Sequence, residues 1–407
     1  MQVNQAERWL RLIFSAVVLL FAGIIYAWSI LRVPFASEFG WDAGQLSWNY
    51  TWTIVSFSIG GFIAGLLTNK TSPRIRILTA AVLLFSGFMA TSQLNGSSLL
   101  LLYLFYGVMS GAGVGICYTT IISMTNAWFP DKRGLCSGIL MMSFALTALI
   151  IGNLADILIK MPSVGWRTTF IALAVAEGVI LVIASFVIRG PKEGTLFPDA
   201  KAAKASTSSS SKAAEPARDY TLSETVRRAS FWKLFFFLIL LASVGSAAIG
   251  LAGNILAELK AESPAAIIGI ISIFNGIGRL SAGALYDNLG IRKTQYIMST
   301  VAIAAPITIV IAILLGSLPV GIIGLCICFF SYGFSPTTSS VFASTFYGMK
   351  NFSMNFGVLN LILVPAPFAT ALAGTIYAST ESFLIPFAIL ACGSIIGLFL
   401  NLSIKKA

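Results

Sequence analysis

The chain has 407 residues, of which 57% are hydrophobic and only 10% charged, and its formal net charge is +11. A soluble domain carries about 25% charged residues, so this composition excludes an ordinary soluble fold and fits a polytopic protein embedded in a lipid bilayer. The cations fall in short loops between apolar runs, a distribution that speaks for membrane topology and against nucleic acid.

Runs of about 20 apolar residues, enough to cross a bilayer, predict six helices near 10–36, 44–69, 75–95, 98–128, 134–160 and 167–189. The N-terminal residues run straight into the first of them with no small-residue cleavage site, so it is expected to be a retained helix. The stretch from Pro191 to Arg228 is rich in Ala, Ser and Lys, with Ser206 to Ser211 at its centre, and reads as a solvated linker. Six more helices are predicted near 230–258, 264–289, 293–316, 318–347, 352–377 and 382–404. The expected fold class is an all-α membrane protein of twelve transmembrane helices. It divides into a six-helix half over 1–190, a linker over 191–229 and a second six-helix half over 230–407.

Of the 26 Lys and Arg residues, 21 fall on one side of these spans; Arg32, Lys160, Arg167 and Lys260 fall on the other, and Arg279 lies within a span. The positive-inside rule then places both termini and the linker in the cytoplasm of a cell-membrane protein. The halves repeat at an offset of 218. Gly65 to Asn69 with Arg74 matches Gly283 to Asp287 with Arg292, and Gly115, Thr119, Thr120 and Lys132 match Gly333, Thr337, Thr338 and Lys350. Two parallel six-helix repeats around a central cavity is a carrier plan, with substrate held near the midplane between the halves.

Arg279 is the costly residue. A cation at helix mid-depth costs about 2.5–3.5 kcal/mol on insertion scales and persists only beside a wet cavity, a partner or a ligand. Its span from Ile267 to Leu285 contains no Asp or Glu, so the missing anion is read as the substrate. The plain alternative is a cation solvated by carbonyls and water. Asn275, four residues earlier, shares its helix face and is a second binding candidate, or else an interhelical hydrogen bond. Tyr118 and Tyr332 lie at mid-depth in equivalent spans and need partners for their hydroxyls, which a carboxylate or ordinary packing would supply. Tyr26 is a further candidate, although aromatics near helix ends are common interfacial anchors. Glu177, well inside the sixth span, is a proton-coupling candidate because intramembrane acids are functional by default. Glu258, near the outer end of the seventh span, is a weaker one. The chain has no histidine, and Cys117, Cys136, Cys326, Cys328 and Cys392 show no zinc-like spacing, so no metal or cofactor is expected.

The run Arg279-x-x-x-Gly283-x-x-x-Asp287-x-x-Gly290-x-Arg292-Lys293 resembles the cytoplasmic loop signature of the major facilitator superfamily. Gly283 permits close helix approach, and Asp287 can pair with Arg292 or with the start of a neighbouring helix. With Lys293 they are candidates for a cytoplasmic gate. In the first-half copy, Asn69 replaces the acid and Ser72 the glycine. Three further stretches, at Tyr26-Ala-Trp28, Gly111 to Tyr118 and Asn126 to Gly138, look like the oxalate–formate exchanger and monocarboxylate porter group of that superfamily. The resemblance implies transport of small carboxylates with Arg279 as their anchor.

Two departures bear on the substrate. The group's dicarboxylate exchanger has a second buried cation in its eleventh helix; that position here is near Leu359, and 352–377 carries no charge. One cation fits a monoanion such as lactate, pyruvate, acetate or formate, because a dianion keeps an uncompensated charge. The animal transporters' helix 1 lysine and helix 8 aspartate are replaced by about Ile30 and by Asn275, so their proton mechanism does not carry over. The leading expectation is a monomeric carrier moving a monocarboxylate with a proton. The alternatives are an anion exchanger and, more remotely, a membrane sensor. An enzyme is not expected, and the lack of a Walker motif speaks against ATP-driven transport.

Overall fold

In the computed structural model of the protein, residues 5–191, 219–262 and 264–404 are described. Most of the expected linker, and Lys405 and Lys406, lie outside them. Ten stretches are helical, long and apolar enough to cross a membrane. One of these, Ile267–Leu315, is two helices joined at Gly290. There the backbone takes φ 73°, a left-handed value that suits glycine. The less apolar helix Ala43–Leu66 completes twelve. They are numbered in chain order: α1 Gln5–Leu31, α2 Ala43–Leu66, α3 Pro73–Ser92, α4 Leu99–Asn126, α5 Arg133–Lys160, α6 Gly165–Val187, α7 Ala229–Glu258, α8 264–289, α9 291–315, α10 Leu318–Phe346, α11 Phe352–Tyr377 and α12 Leu384–Leu402.

Local sequence sets several boundaries. Asp42 and Gln45 form a capping box at the start of α2. Ser72 accepts the Ile75 N–H ahead of Pro73 at the start of α3. Several helices are not regular throughout, and α8 is interrupted at Ser272. α1 tightens to a 3-10 turn at Gly23–Ala27, and α11 does the same at Leu361–Leu363, ahead of Pro365 and Pro367. α4 and α5 contain π-helical stretches at Tyr103–Ser110 and Ala148–Gly152. Such mid-helix irregularities often mark hinges or functional sites.

The breaks of α1 and α5 interlock. Thr147 Oγ1 donates to Leu20 O at 2.6 Å, and a Cβ added at Gly23 would lie 2.3 Å from Phe144 O. This contact presents Tyr26 to the centre of the bundle.

The 218-residue repeat is visible in the packing. A Cβ at Gly115 would lie 2.0 Å from Phe57 O and 2.8 Å from Gly61 N; one at Gly333 would lie 2.3 Å from Asn275 O and 2.8 Å from Arg279 N. So α2 meets α4 as α8 meets α10, backbone to backbone, with small residues admitting the approach. Arg279 stands in the second half where Gly61 stands in the first.

The loops that carry most of the cations lie at one end of the bundle, here the basic end. The two halves meet along it. A Cβ at Gly283 would lie 2.1 Å from Gly134 O, and one at Gly65 would lie 2.6 Å from Ser353 O, which joins α8 to α5 and α2 to α11. Deeper in this seam, Ser340 of α10 takes hydrogen bonds with Asn126 and Ser137 of the first half at 3.1 and 2.8 Å, all three side chains buried. Arg133 Nη1 donates across it to Ser344 O. Among the described residues, every hydrogen bond between the halves lies at the level of Arg279 or on its basic side.

Candidate functional site

Arg279 is 1% exposed and forms no ion pair among the described residues. Its backbone is held rigidly. Thr337 Oγ1 donates to Arg279 O at 3.1 Å, and Gly333 and Gly138 bring α10 and α5 against the same turn. Its guanidinium makes three hydrogen bonds: Nε to Asn275 Oδ1 at 3.2 Å, Nη1 to Met141 O at 3.0 Å, and a long one from Nη2 to Tyr26 Oη at 3.5 Å. A guanidinium has five N–H donors, so about two remain, one on Nη1 and one on Nη2. The solvation by carbonyls considered from the sequence is therefore only partly realised.

Asn275 spends its carbonyl orienting Arg279 within α8 instead of crossing to another helix. Around this pair stand aromatic side chains. Tyr26 packs edge-on to Phe144 at 5.3 Å, with Arg279 Cζ 5.8 Å from its ring centre. Tyr118 packs among Phe144, Phe57 and Phe356 at 4.8, 5.2 and 6.2 Å. Tyr332 backs onto Gly245 of α7. Tyr118 and Tyr332 lie within electrostatic reach of Arg279, and their hydroxyls have no hydrogen-bond partner among the described residues. Asn275, Tyr26 and Tyr332 keep partial solvent access above the buried guanidinium. The arrangement offers a cationic edge, phenol hydroxyls and an apolar wall, a set suited to a small amphipathic anion.

Arg279 is the central cation of this structure. Arg8 and Arg76 are also buried, but both lie toward the basic end. Arg8 pairs with Asp131, and Arg76 donates to Ala64 O and Thr68 Oγ1. Leu359 of α11 is fully buried in the core.

The two carboxyl candidates do not join the cluster. Glu177 is 1% exposed on α6 with neither oxygen hydrogen-bonded among the described residues, and it lies within electrostatic reach of Cys117 on α4. Glu258 accepts from Ser382 Oγ at 2.7 Å and Phe383 N at 3.1 Å, and so caps the start of α12 at the end opposite the basic loops. Of the three gate candidates, Asp287 crosses the halves, accepting from Gly134 N at 3.0 Å and Leu135 N at 2.7 Å. It caps α5, where a carboxylate meets unpaired N–H groups and the positive end of the helix dipole. Arg292 and Lys293 are exposed and make no ion pair with it. Asn69, the first-half mate of Asp287, is exposed and caps nothing.

Sequence reasoning missed Tyr50 of α2, which reaches Arg279, Tyr26 and Tyr332 electrostatically. It also missed the Met141 carbonyl and the Asn126–Ser137–Ser340 knot. Tyr50 follows Asn49 in the least apolar span, a polar pair that was available as a signal; a backbone carbonyl leaves none.

Comparison with known proteins places these features in a family. Over 360 residues the chain is 26% identical to an uncharacterized MFS-type transporter, YhjX, of Escherichia coli (strain K12), covering 88% of this chain and 85% of that protein. It is 27% identical over 358 residues to the oxalate:formate antiporter of Oxalobacter formigenes, covering 85% and 80%. It is 23% identical over 394 residues to monocarboxylate transporter 12 of Mus musculus, covering 90% and 78%. In fold it is similar to the transporter FucP in an outward conformation, with TM-score 0.69 at 14% identity over 98% of this chain and 100% of that one. It is likewise similar to the proton:xylose symporter XylE, with TM-score 0.71 at 12% identity over 99% and 97%. Residues 13–369 match the profile of the Major Facilitator Superfamily, and the chain belongs to that superfamily, a membrane transporter and not an enzyme.

Proposed function

We propose that the chain is a secondary carrier of small monocarboxylates of the lactate and pyruvate kind, working by alternating access and driven by proton symport. The observation that carries this reading is Arg279. It is a buried cation without a carboxylate partner among the described residues, with an N–H donor left on each of Nη1 and Nη2 and phenol hydroxyls beside it. A bidentate carboxylate takes two such donors, and the aromatic wall takes the substrate's carbon chain. The count of one central cation, with Leu359 and an uncharged α11 opposite, favours a monoanion. The oxalate:formate antiporter and monocarboxylate transporter relatives support the carboxylate class. In this reading the basic end faces the cytoplasm of the cell membrane. The chain works as a monomer whose halves, 1–190 and 230–407, rock about the site on the linker 191–229.

Proton coupling has two routes: protonation of a carrier group, with Glu177 and Glu258 as the acids to vary, or neutralisation of Arg279 by the substrate itself. The second reading, anion exchange, is favoured by the antiporter relative. Proteoliposome uptake separates them. Symport predicts accumulation driven by an inward proton gradient with no internal anion. Uptake that ignores the gradient and needs internal carboxylate establishes exchange instead.

Tyr118 gives a finer test. Tyr118→Phe keeps the ring packing against Phe144 and Phe57 and removes only the hydroxyl. Loss of one hydrogen bond to a charged group costs about 1.5 kcal/mol or more, so carboxylate affinity is expected to fall about ten-fold with little change in melting temperature. Unchanged affinity by calorimetry assigns Tyr118 to packing alone.

A further inference from the structure

Arg279 does more than offer free donors. Its Nη1 donates to Met141 O, so a side chain of the second half grips the backbone of the first, in a buried contact of 3.0 Å. Its longer bond to Tyr26 Oη also crosses the halves. Both acceptors sit at weak points of their helices. Tyr26 lies in the 3-10 turn of α1, and Met141 lies one turn before the regular part of α5 ends at Ala145.

On the basic side of this grip, the described hydrogen bonds across the seam join Asp287 to main-chain N–H groups, Arg133 to a main-chain carbonyl, and neutral side chains of Asn126, Ser137 and Ser340 to one another. None of them joins two opposite charges. The Asp287 and Arg133 bonds are charge-assisted, as the Arg279 bond to Met141 O is; of these charged groups, Arg279 is the one that stands in the carboxylate site, so its bond is the one a bound anion reaches.

We propose that Arg279 is a substrate-released tether: in the empty carrier it holds α5 to α8, and a bound carboxylate loosens that hold. The proposal rests on the carboxylate reading above. Asn275 already occupies Nε, so a bidentate carboxylate uses Nη1 and Nη2, the nitrogens that hold Met141 and Tyr26. Neutralised by the carboxylate, the guanidinium holds a carbonyl less strongly. Binding and opening of the basic end are thereby linked through one side chain, with a differential affinity for the two states, as any ligand-driven switch requires.

The test is thiol labelling at the seam in purified full-length protein. Ser344→Cys, buried in α10 at the seam, is the reporter in a chain whose native cysteines are replaced by alanine or serine. Lactate and formate are the probes, and their binding to the same protein is measured separately by thermal shift. The tether predicts that saturating carboxylate raises the labelling rate several-fold. It also predicts that Arg279→Gln without any carboxylate labels about ten-fold faster than the parent and no longer responds to the probes. An Arg279→Gln protein that labels at the parent's empty rate overturns the tether. So does a parent whose labelling is unmoved by a carboxylate that thermal shift shows to bind, and this arm decides even where the variant does not fold. A parent that binds neither probe counts against the carboxylate reading, while the empty-state comparison still judges the grip itself.

Discussion

Arg279→Gln is expected to lower carboxylate affinity by at least about 100-fold while leaving an inserted, cooperatively melting protein. Two charge-assisted hydrogen bonds contribute about 3 kcal/mol or more to holding a carboxylate, and glutamine offers a single neutral amide in their place. The fold itself does not depend on the charge, since removing a cation from mid-membrane relieves an insertion cost. Arg279→Lys is expected to fail as well. An ammonium is a point charge that cannot present two parallel N–H groups, and the shorter side chain gives up the Asn275 contact that orients the guanidinium. Calorimetry or thermal shift with lactate checks both variants. Retention of the parent's affinity in either one removes the anchor from the account.

Gly283→Ala is expected to have the second largest effect, and to act on conformation instead of on the site. Its Cβ would lie 2.1 Å from Gly134 O and 2.6 Å from Gly134 C, both backbone atoms of the opposite half that no rotamer change can move aside. Overpacking of this kind costs about 1–3 kcal/mol. The cost falls only on the state in which the basic end is closed, so the equilibrium shifts by about 5- to 150-fold toward opening. The helix itself gains, because alanine is a better helix former than glycine by about 1 kcal/mol. Labelling at Ser344→Cys reads the shift: the variant should react much faster than the parent while melting at a similar temperature. An unchanged rate would mean that the contact between Gly134 and Gly283 does not hold the seam.

Much of the architecture was legible in the chain because a bilayer imposes long apolar runs and the loop charges punctuate them. The repeat was legible for the same kind of reason. Gly115 and Gly333 are fixed by close backbone contact with Phe57 and Asn275, where any side chain would collide. Arg279 and Asn275 stood out because a polar stripe in an apolar helix is expensive.

The irregular turns were not legible. The continuous first and fifth helices expected from hydropathy are broken at Gly23–Ala27 and Ala148–Gly152, because apolar sequence is compatible with 3-10, α and π geometry alike and tertiary contacts choose among them. Tyr50 was legible in principle, from the polar pair that it forms with Asn49. Met141 could not be found at all, since what it contributes is a carbonyl. Arg292 and Lys293 were grouped with Asp287 by motif; of the two partners expected for Asp287 it meets the start of a neighbouring helix, and that this helix is α5 of the other half is not encoded in sequence spacing.

The single-anion claim is tested most directly by thermal stabilisation of the purified protein with matched panels of mono- and dicarboxylates at fixed pH and ionic strength. A single-anion site gives concentration-dependent stabilisation by formate, acetate, lactate or pyruvate, weak or absent stabilisation by oxalate, malonate and succinate, and loss of the effect in Arg279→Gln. Stabilisation by the dicarboxylates alone, or by monocarboxylates equally in the parent and in Arg279→Gln, would contradict it.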